Sequence, residues 1–297
     1  MSSFSSTETP LRLGLLVALA LAFLPRAAEA QACCAGAAAG QLGRLALHEE
    51  ALVGLDLRAF RTQGAFGDDA IFRATEVEAL QFEQSLLATV RLGHPAQLGV
   101  VLPLVQSYAR TRREAGFGGG VGDVQLQARY DFTFAGQSLS VPGIALVGGL
   151  VLPTGRALEE TTHPLGVEAT GRGAFRASGG LGLEQSFGAA FAQIVGAFTY
   201  DAPRSAGGRT YDARWGTSAS FVLGASLPSE LTLALSARHE AEPEAPRRGW
   251  RFGLAAGLPL ADWRFQGGVF GDAPFDGFGR NENARLGLHF ALMRIWT

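Results

Sequence analysis

Hydrophobic and polar residues alternate one by one along much of this chain. In the clearest stretch, residues 123–134, the even-numbered positions are apolar, and the odd-numbered positions are Asp123, Gln125, Gln127, Arg129, Asp131 and Thr133. Successive side chains of a β-strand point to opposite faces, so this spacing predicts a strand with one apolar and one polar face. A helix would distribute the same residues around its circumference.

The same alternation recurs often enough to predict about a dozen strands, each long enough to cross a membrane at a tilt. Two segments, 98–105 and 144–152, are apolar on both faces. For these we expect either a plug that covers the inner face or local packing that fills the interior. The predicted strands lie near residues 44–61, 74–92, 96–110, 122–135, 141–152, 168–187, 189–200, 211–227, 230–240, 249–258, 262–271 and 284–296.

The connections between these strands alternate between long and short. The long ones centre on residues 64–69, 114–120, 154–164, 203–208, 242–248 and 273–283, and the short ones on 93–95, 136–138, 188, 228–229 and 259–262. Bacterial outer-membrane barrels have an even number of antiparallel strands, long extracellular loops and short periplasmic turns. The pattern therefore predicts an all-β fold: a transmembrane, antiparallel, up-and-down β-barrel of about 12 strands, with both termini on the short-turn side.

The composition limits the alternatives. Hydrophobic residues make up 47% of the 297 residues and charged residues 18%, and the mean hydropathy is only +0.15. Soluble domains usually contain about a quarter charged residues. Only helices and closed barrels satisfy the backbone in lipid, and this mean hydropathy is too low for a helical membrane protein of this size. The mature chain is therefore either a barrel or a soluble periplasmic protein such as a β-sandwich. A net charge of −2 gives no indication of nucleic-acid binding.

The N-terminus has the features of a secretory signal peptide over residues 1–30. Arg12 precedes an apolar run at 13–24, and Ala28-Glu29-Ala30 is a small-x-small cleavage site. The run is shorter than the roughly 20 residues of a membrane-spanning helix, which disfavours a transmembrane anchor. We expect export to the cell outer membrane.

Beyond the signal peptide, we expect residues 31–43 to form a short periplasmic segment, a partial plug of the barrel, and residues 44–297 to form the barrel itself. Cys33 and Cys34 are the only cysteines. The residues before them make a poor lipoprotein signal. A vicinal disulfide, an intermolecular bridge and a metal ligand all remain open, with an incidental role preferred.

The polar faces of the predicted strands nominate side chains that line the lumen. A ring of twelve strands leaves a lumen on the order of 10–14 Å, wide enough for small molecules. Because positive and negative side chains are mixed, we expect weak charge selectivity. The candidates are Asp123, Gln125, Gln127, Arg129, Asp131, Arg176, Glu184, Asp212, Arg214, His48 and His289.

Candidate chemistry beyond a pore is sparse. His48 and His289 fall on the polar faces of the first and last predicted strands and could meet in the lumen, as pore-lining residues or as a metal or acid–base pair. Ser218, Ser220 and His239 supply the residue types of a hydrolase, but no motif selects them. We therefore predict no catalytic residue, no metal, no cofactor and no enzyme.

Two stretches in the middle of the chain resemble a known family. Gly120-Val121-Gly122-Asp123 opens a strand that reaches Arg129-Tyr130, and Leu150-Val151-Leu152-Pro153-Thr154-Gly155 closes the next strand. Together they resemble the outer-membrane barrel family named for the meta-pathway of phenol degradation. The glycines also suit tight backbone at loop–strand junctions, and Pro153 suits a strand end.

The resemblance implies a transporter, and the family name implies aromatic compounds. The function we predict is passive passage of small, aromatic or hydrophobic compounds across the outer membrane. The partners expected are outer-membrane lipid, a small-molecule solute and the barrel-assembly machinery. Two alternatives stay open: a structural or surface-interaction barrel with a closed lumen, and an outer-membrane hydrolase.

Overall fold

The computed structural model describes residues 43–138, 140–243 and 247–297. Twelve long antiparallel strands dominate this part of the chain, and no helix within it is long and apolar enough to cross a membrane. The proposed signal peptide, Cys33, Cys34 and nearly all of the 31–43 segment lie outside the described residues. The strands are β1 (Ala51–Phe66), β2 (Glu78–Leu92), β3 (Ala96–Arg110), β4 (Val124–Thr133), β5 (Gly143–Leu152), β6 (Arg176–Phe187), β7 (Ala190–Asp201), β8 (Arg214–Ser226), β9 (Thr232–Glu242), β10 (Arg247–Leu260), β11 (Trp263–Asp272) and β12 (Glu282–Trp296).

Each strand pairs with its neighbours in sequence, and the ring is closed by pairing of the last strand with the first. The β1–β12 ladder runs from Ala51 opposite Trp296 to Phe66 opposite Glu282. The alternation of apolar and polar residues thus produces the predicted fold, a closed up-and-down barrel of 12 antiparallel strands.

Short elements decorate the long-loop end of the barrel, which in bacterial barrels is the extracellular end. Strand Phe72–Ala74 pairs with β1, Gly279–Arg280 pairs with β10, and Arg204–Ala206 forms a hairpin with Arg209–Tyr211. A single helical turn, Leu158–Glu160, lies in the loop between β5 and β6. We call this connection, residues 153–175, the inner loop because it folds over the lumen.

Several details differ from the sequence-based expectation. The strand predicted at residues 168–187 begins only at Arg176, because residues 168–175 belong to the inner loop. The first strand begins at Ala51 rather than at residue 44, because residues 43–50 turn away from the wall into the barrel. The glycine-rich stretch around residues 114–120, predicted as a long connection, is instead a strand, Ala115–Val121, which pairs with the outer half of β3 from Leu104 to Arg110.

The outer surface of the barrel is an apolar band. On β12, for example, Leu286, Leu288 and Phe290 are 46–60% exposed, whereas His289 between them is buried. Aromatic side chains are exposed near both strand ends, with Trp215 and Trp250 towards the long loops and Trp263 and Trp296 at the short turns. Such bands flanked by aromatic girdles are typical of membrane barrels.

This band makes a prediction about depth in the bilayer. Leu288 lies in the middle of β12 and is 60% exposed, whereas Leu260 is the last residue of β10 and is 61% exposed. We expect Leu288→Arg to lower the free energy of unfolding in bilayers by about 2–4 kcal/mol, and Leu260→Arg by about 0–1 kcal/mol. Denaturant titration in lipid vesicles measures both. Equal losses would contradict the placement of Leu288 at the midplane.

Candidate functional site: the lumen

The inward face of the barrel carries most of the side chains nominated from the sequence. Gln125, Gln127, Arg129 and Arg176 line a central cavity, and Asp123 lies at its edge on the long-loop side. Asp131 and Glu184 are buried deeper, each 4% exposed, towards the short turns. Arg129 and Asp131 form an ion pair, with Nη2 2.7 Å from Oδ1.

Four of the residues nominated from the sequence lie away from the others. Asp212 and Arg214 are exposed at the long-loop end, Asp212 just before β8 and Arg214 as its first residue. His48 lies in an exposed turn before β1, whereas His289 is buried halfway along β12 opposite Arg58. The two histidines therefore do not meet, and the pair suggested by barrel closure is not formed because the chain enters β1 three residues after His48.

Residues 43–50, the N-terminal segment, occupy the short-turn end of the barrel, with Leu45, Ala46 and Glu49 buried. Leu45 is 2% exposed and packs in one cluster with Leu87, Val101 and Met293, which project inward from β2, β3 and β12. Burying a leucine side chain in this way stabilises the segment by about 1.5–3 kcal/mol. Leu45 thus accounts for one inward apolar residue of β3, Val101, whereas Pro103 and Val105 line the cavity.

Polar contacts fix the same segment to the wall. Arg44 forms an ion pair with Glu184, and Glu49 forms one with Arg264, whose side chain is 3% exposed. The backbone N–H of Leu45 donates to Oε1 of Gln97 at 3.0 Å. Buried charges are tolerated only when paired, so these contacts hold the segment in one position.

The inner loop folds over the lumen at the opposite end, held by Asp123. One carboxylate oxygen of Asp123 accepts the backbone N–H of Gly155 at 2.9 Å, and the other accepts that of Arg172 at 2.6 Å. Hydrogen bonds to a charged acceptor contribute about 1.5–3 kcal/mol each. Asp123 thus ties both ends of the loop to the start of β4, an arrangement we call the Asp123 latch.

Two threonines extend the latch. The Thr154 hydroxyl donates to the carbonyl of Gly122 at 2.7 Å and accepts the N–H of Val124 at 3.0 Å. The Thr170 hydroxyl donates to the carbonyl of Val121 at 2.8 Å. The two sequence motifs noted above therefore contact each other, and their Asp and Thr residues have a definite structural role.

The glycine-rich strand Ala115–Val121 provides a flat surface for the inner loop. A Cβ at Gly118 would lie 2.7 Å from the carbonyl oxygen of Val167, which is itself buried. A Cβ at Gly122 would lie 3.1 Å from the carbonyl oxygen of Thr170. The glycines therefore permit the backbone of the loop to approach the strand.

Gly171 offers a direct test of the latch. A Cβ at this position would lie 2.3 Å from Oδ1 of Asp123, so we expect Gly171→Ala to displace the loop and increase single-channel conductance in planar bilayers. The control is Gly196→Ala on β7, where a Cβ would meet nothing within 4 Å. An unchanged conductance for both variants would show that the loop does not depend on this contact.

Between the N-terminal segment and the inner loop lies a cavity of about 760 Å³. Inward-facing Val147, Val151 and Val195 give it an apolar strip on β5 and β7. No aromatic side chain lines it among the described residues. The charged side chains that line it are Arg44, Arg129, Arg172, Arg176, Arg238, Arg247, Arg285, Glu83, Asp123 and Glu240.

Arginines concentrate at the long-loop end of this cavity, where Arg172 and Arg176 share Asp201 as well as Glu242. Arg172 and Arg176 both contact Glu242, with nitrogen–oxygen distances of 3.2 and 3.1 Å. Arg247 contacts Glu282 at 3.2 Å. Burial lowers the pKa of Arg172. The neighbouring positive charges of Arg176 and Arg247 lower it further.

The residue types of a hydrolase are not assembled. Ser218 and Ser220 line the cavity, whereas His239 lies on the outward-facing side of β9 and packs against Trp250 with ring centroids 4.6 Å apart. A serine and its base must lie within hydrogen-bond reach. Within the described residues, no group of three His, Cys, Asp or Glu side chains is arranged to hold a metal ion.

Sequence reasoning missed Arg172, Arg238, Arg247 and Arg285. The last three occupy inward positions near the long-loop ends of β9, β10 and β12, so the alternation contained a signal for them. Arg172 lies in a loop without periodicity, and only the Asp123 latch brings it to the lumen.

Comparisons with known proteins agree on the fold. No protein-family model and no curated protein sequence matches the chain. Among solved structures, it is similar to an outer-membrane channel from Pseudomonas putida F1, with a TM-score of 0.71 and 13% identity over 86% of this chain and 98% of that one. It is also similar to the translocator domain of the autotransporter NalP from Neisseria meningitidis, with a TM-score of 0.54 and 11% identity over 88% and 92% of the two chains.

Proposed function

We propose that this protein is a passive channel of the bacterial outer membrane that admits small solutes. The observation that carries the proposal is the polar cavity of about 760 Å³ enclosed by a barrel with an apolar outer band. Outer-membrane lipid is then the partner of the outer face, and the barrel-assembly machinery inserts the chain after export. The similarity to a channel from Pseudomonas putida F1 is in fold, and it agrees with this function.

The cavity suggests which solutes pass. The apolar strip of Val147, Val151 and Val195 can contact the body of an aromatic or aliphatic compound, while Gln125 and Gln127 on β4 offer hydrogen bonds. Ligand sites commonly combine apolar lining with a few polar groups that orient the ligand. We propose that small aromatic or hydrophobic compounds with one polar end are accepted.

Liposome swelling and planar-bilayer conductance test the channel. Liposomes that contain the purified, heat-modifiable barrel should swell in small aromatic solutes such as phenol or benzoate, and single channels should appear in potassium chloride. A folded barrel that gives neither swelling nor conductance would contradict the proposal.

A closed structural barrel is the second candidate, because the N-terminal segment and the inner loop both narrow the lumen. The contacts that favour it are the buried pair of Glu49 with Arg264 and the Asp123 latch. Wild-type protein without conductance, together with conductance in variants that release either element, would support this candidate.

A further inference from the structure

Three arginines at the long-loop end of the cavity have side chains more exposed than the carboxylates that they contact. The Arg172 side chain is 39% exposed and its partner Glu242 14%; Arg247 is 34% exposed and its partner Glu282 12%. The Arg285 side chain is 29% exposed and that of its partner Asp272 is 9% exposed. In each pair the arginine lines the main cavity and the carboxylate does not, although Asp272 and Glu282 line a small second pocket.

The charge balance of the cavity follows from this arrangement. Of the carboxylates in contact with these arginines, Asp201, Glu242, Asp272 and Glu282 do not line the cavity, whereas Arg172, Arg176, Arg247 and Arg285 do. Arg238 and Glu240 both line it and form a pair at 2.6 Å. A solute at the long-loop end of the cavity therefore meets guanidinium groups on several sides.

From this geometry we infer that the long-loop mouth of the cavity binds small organic carboxylates, anions whose apolar body contacts the valine strip and whose carboxylate contacts Arg172 and Arg247. The inference rests on the proposed channel and names its substrate class. Guanidinium groups bind carboxylates through parallel hydrogen bonds, and rings of arginine favour anions in pores. The inferred preference for anions differs from the weak charge selectivity predicted from the mixed rows of charge in the sequence.

The first test is the zero-current potential of the full-length protein in a potassium chloride gradient. We expect chloride to permeate faster than potassium. A unit charge about 8 Å away in water raises the local anion concentration about twofold and lowers the cation concentration by a similar factor, so Arg172→Gln with Arg247→Gln should lower the chloride-to-potassium permeability ratio about fourfold or more. The control Arg156→Gln removes one positive charge from the inner loop, where Arg156 is 53% exposed and does not line the cavity. It should leave the ratio unchanged.

The second test does not require conductance. Calorimetric titration of the detergent-solubilised barrel should detect binding of benzoate but not of neutral benzamide, and the double variant should weaken benzoate binding about fourfold or more. Heat-modifiability on gels verifies that each variant is folded.

These outcomes separate the inference from the channel itself. Conductance that favours potassium, or that has no preference, would overturn the anion site and leave the channel intact. Absent conductance with benzoate binding abolished in the double variant would contradict the channel and support the site. Benzoate binding that is absent, or equal in wild type and double variant, would overturn the site.

Discussion

Asp123→Ala should open the channel more than any other single substitution at the long-loop end. It removes both hydrogen bonds from the backbone of Gly155 and Arg172 at once, and each contributes about 1.5–3 kcal/mol. A loss of about 3–6 kcal/mol lowers the ratio of docked to undocked conformations of the inner loop by at least a hundredfold. We expect larger single-channel conductance and, because Arg172 leaves the lumen, a smaller preference for anions.

Asp69→Ala is the matched control for this substitution. Asp69 also lies at the long-loop end, but its carboxylate contacts the exposed Arg73 and the N–H of Ile71, outside the lumen. Conductance of this control should equal that of the wild type. If Asp123→Ala inserts normally and conducts like the wild type, the inner loop is held by contacts other than the latch.

Glu49→Ala should have the largest effect at the short-turn end. The substitution removes the carboxylate that faces the buried guanidinium of Arg264, and breaking such a pair costs about 3–5 kcal/mol. It also removes the hydrogen bond that the N–H of Ala46 donates to Oε2 of Glu49 at 2.6 Å. We therefore expect the N-terminal segment to leave the lumen and conductance to rise.

The neighbouring residue supplies the comparison for this variant. Glu50 carries the same charge one position further along and is exposed, so Glu50→Ala should change neither conductance nor the temperature at which the folded band is lost on gels. Protease treatment of intact liposomes provides a second measurement, since a released segment becomes cleavable. Identical conductance and cleavage for the two variants would contradict a plugging role for residues 43–50.

The barrel could be predicted from the sequence because its cause is local. A period of two along each strand determines which side chains face lipid and which face the lumen. Residues opposite each other in a ladder face the same side of the sheet. The predicted and observed bounds of β3 agree at residues 96–110, although its two-sided apolar pattern obscured the alternation. Part of that pattern is explained by Leu45, which packs against Val101 and lies far away in sequence.

The contents of the lumen could not be predicted in the same way. Asp123 contacts backbone groups 32 and 49 residues further along, and no periodicity connects an aspartate to such partners. The motif residues around Gly122 and Gly155 were visible, but each alone had an adequate explanation in turn geometry. Their shared role depends on the packing of the inner loop, which only three-dimensional structure reveals.

The pairing of β12 with β1 has a consequence for how the protein folds. Each of the other eleven ladders joins strands that are neighbours in sequence, whereas this one joins Ala51 to Trp296. Until the last strand has emerged, the sheet has two unpaired edges whose N–H and C=O groups can recruit other chains. Contacts of such long range also slow folding. The chain is therefore exposed to aggregation through these edges before insertion, and the final ladder pairs them.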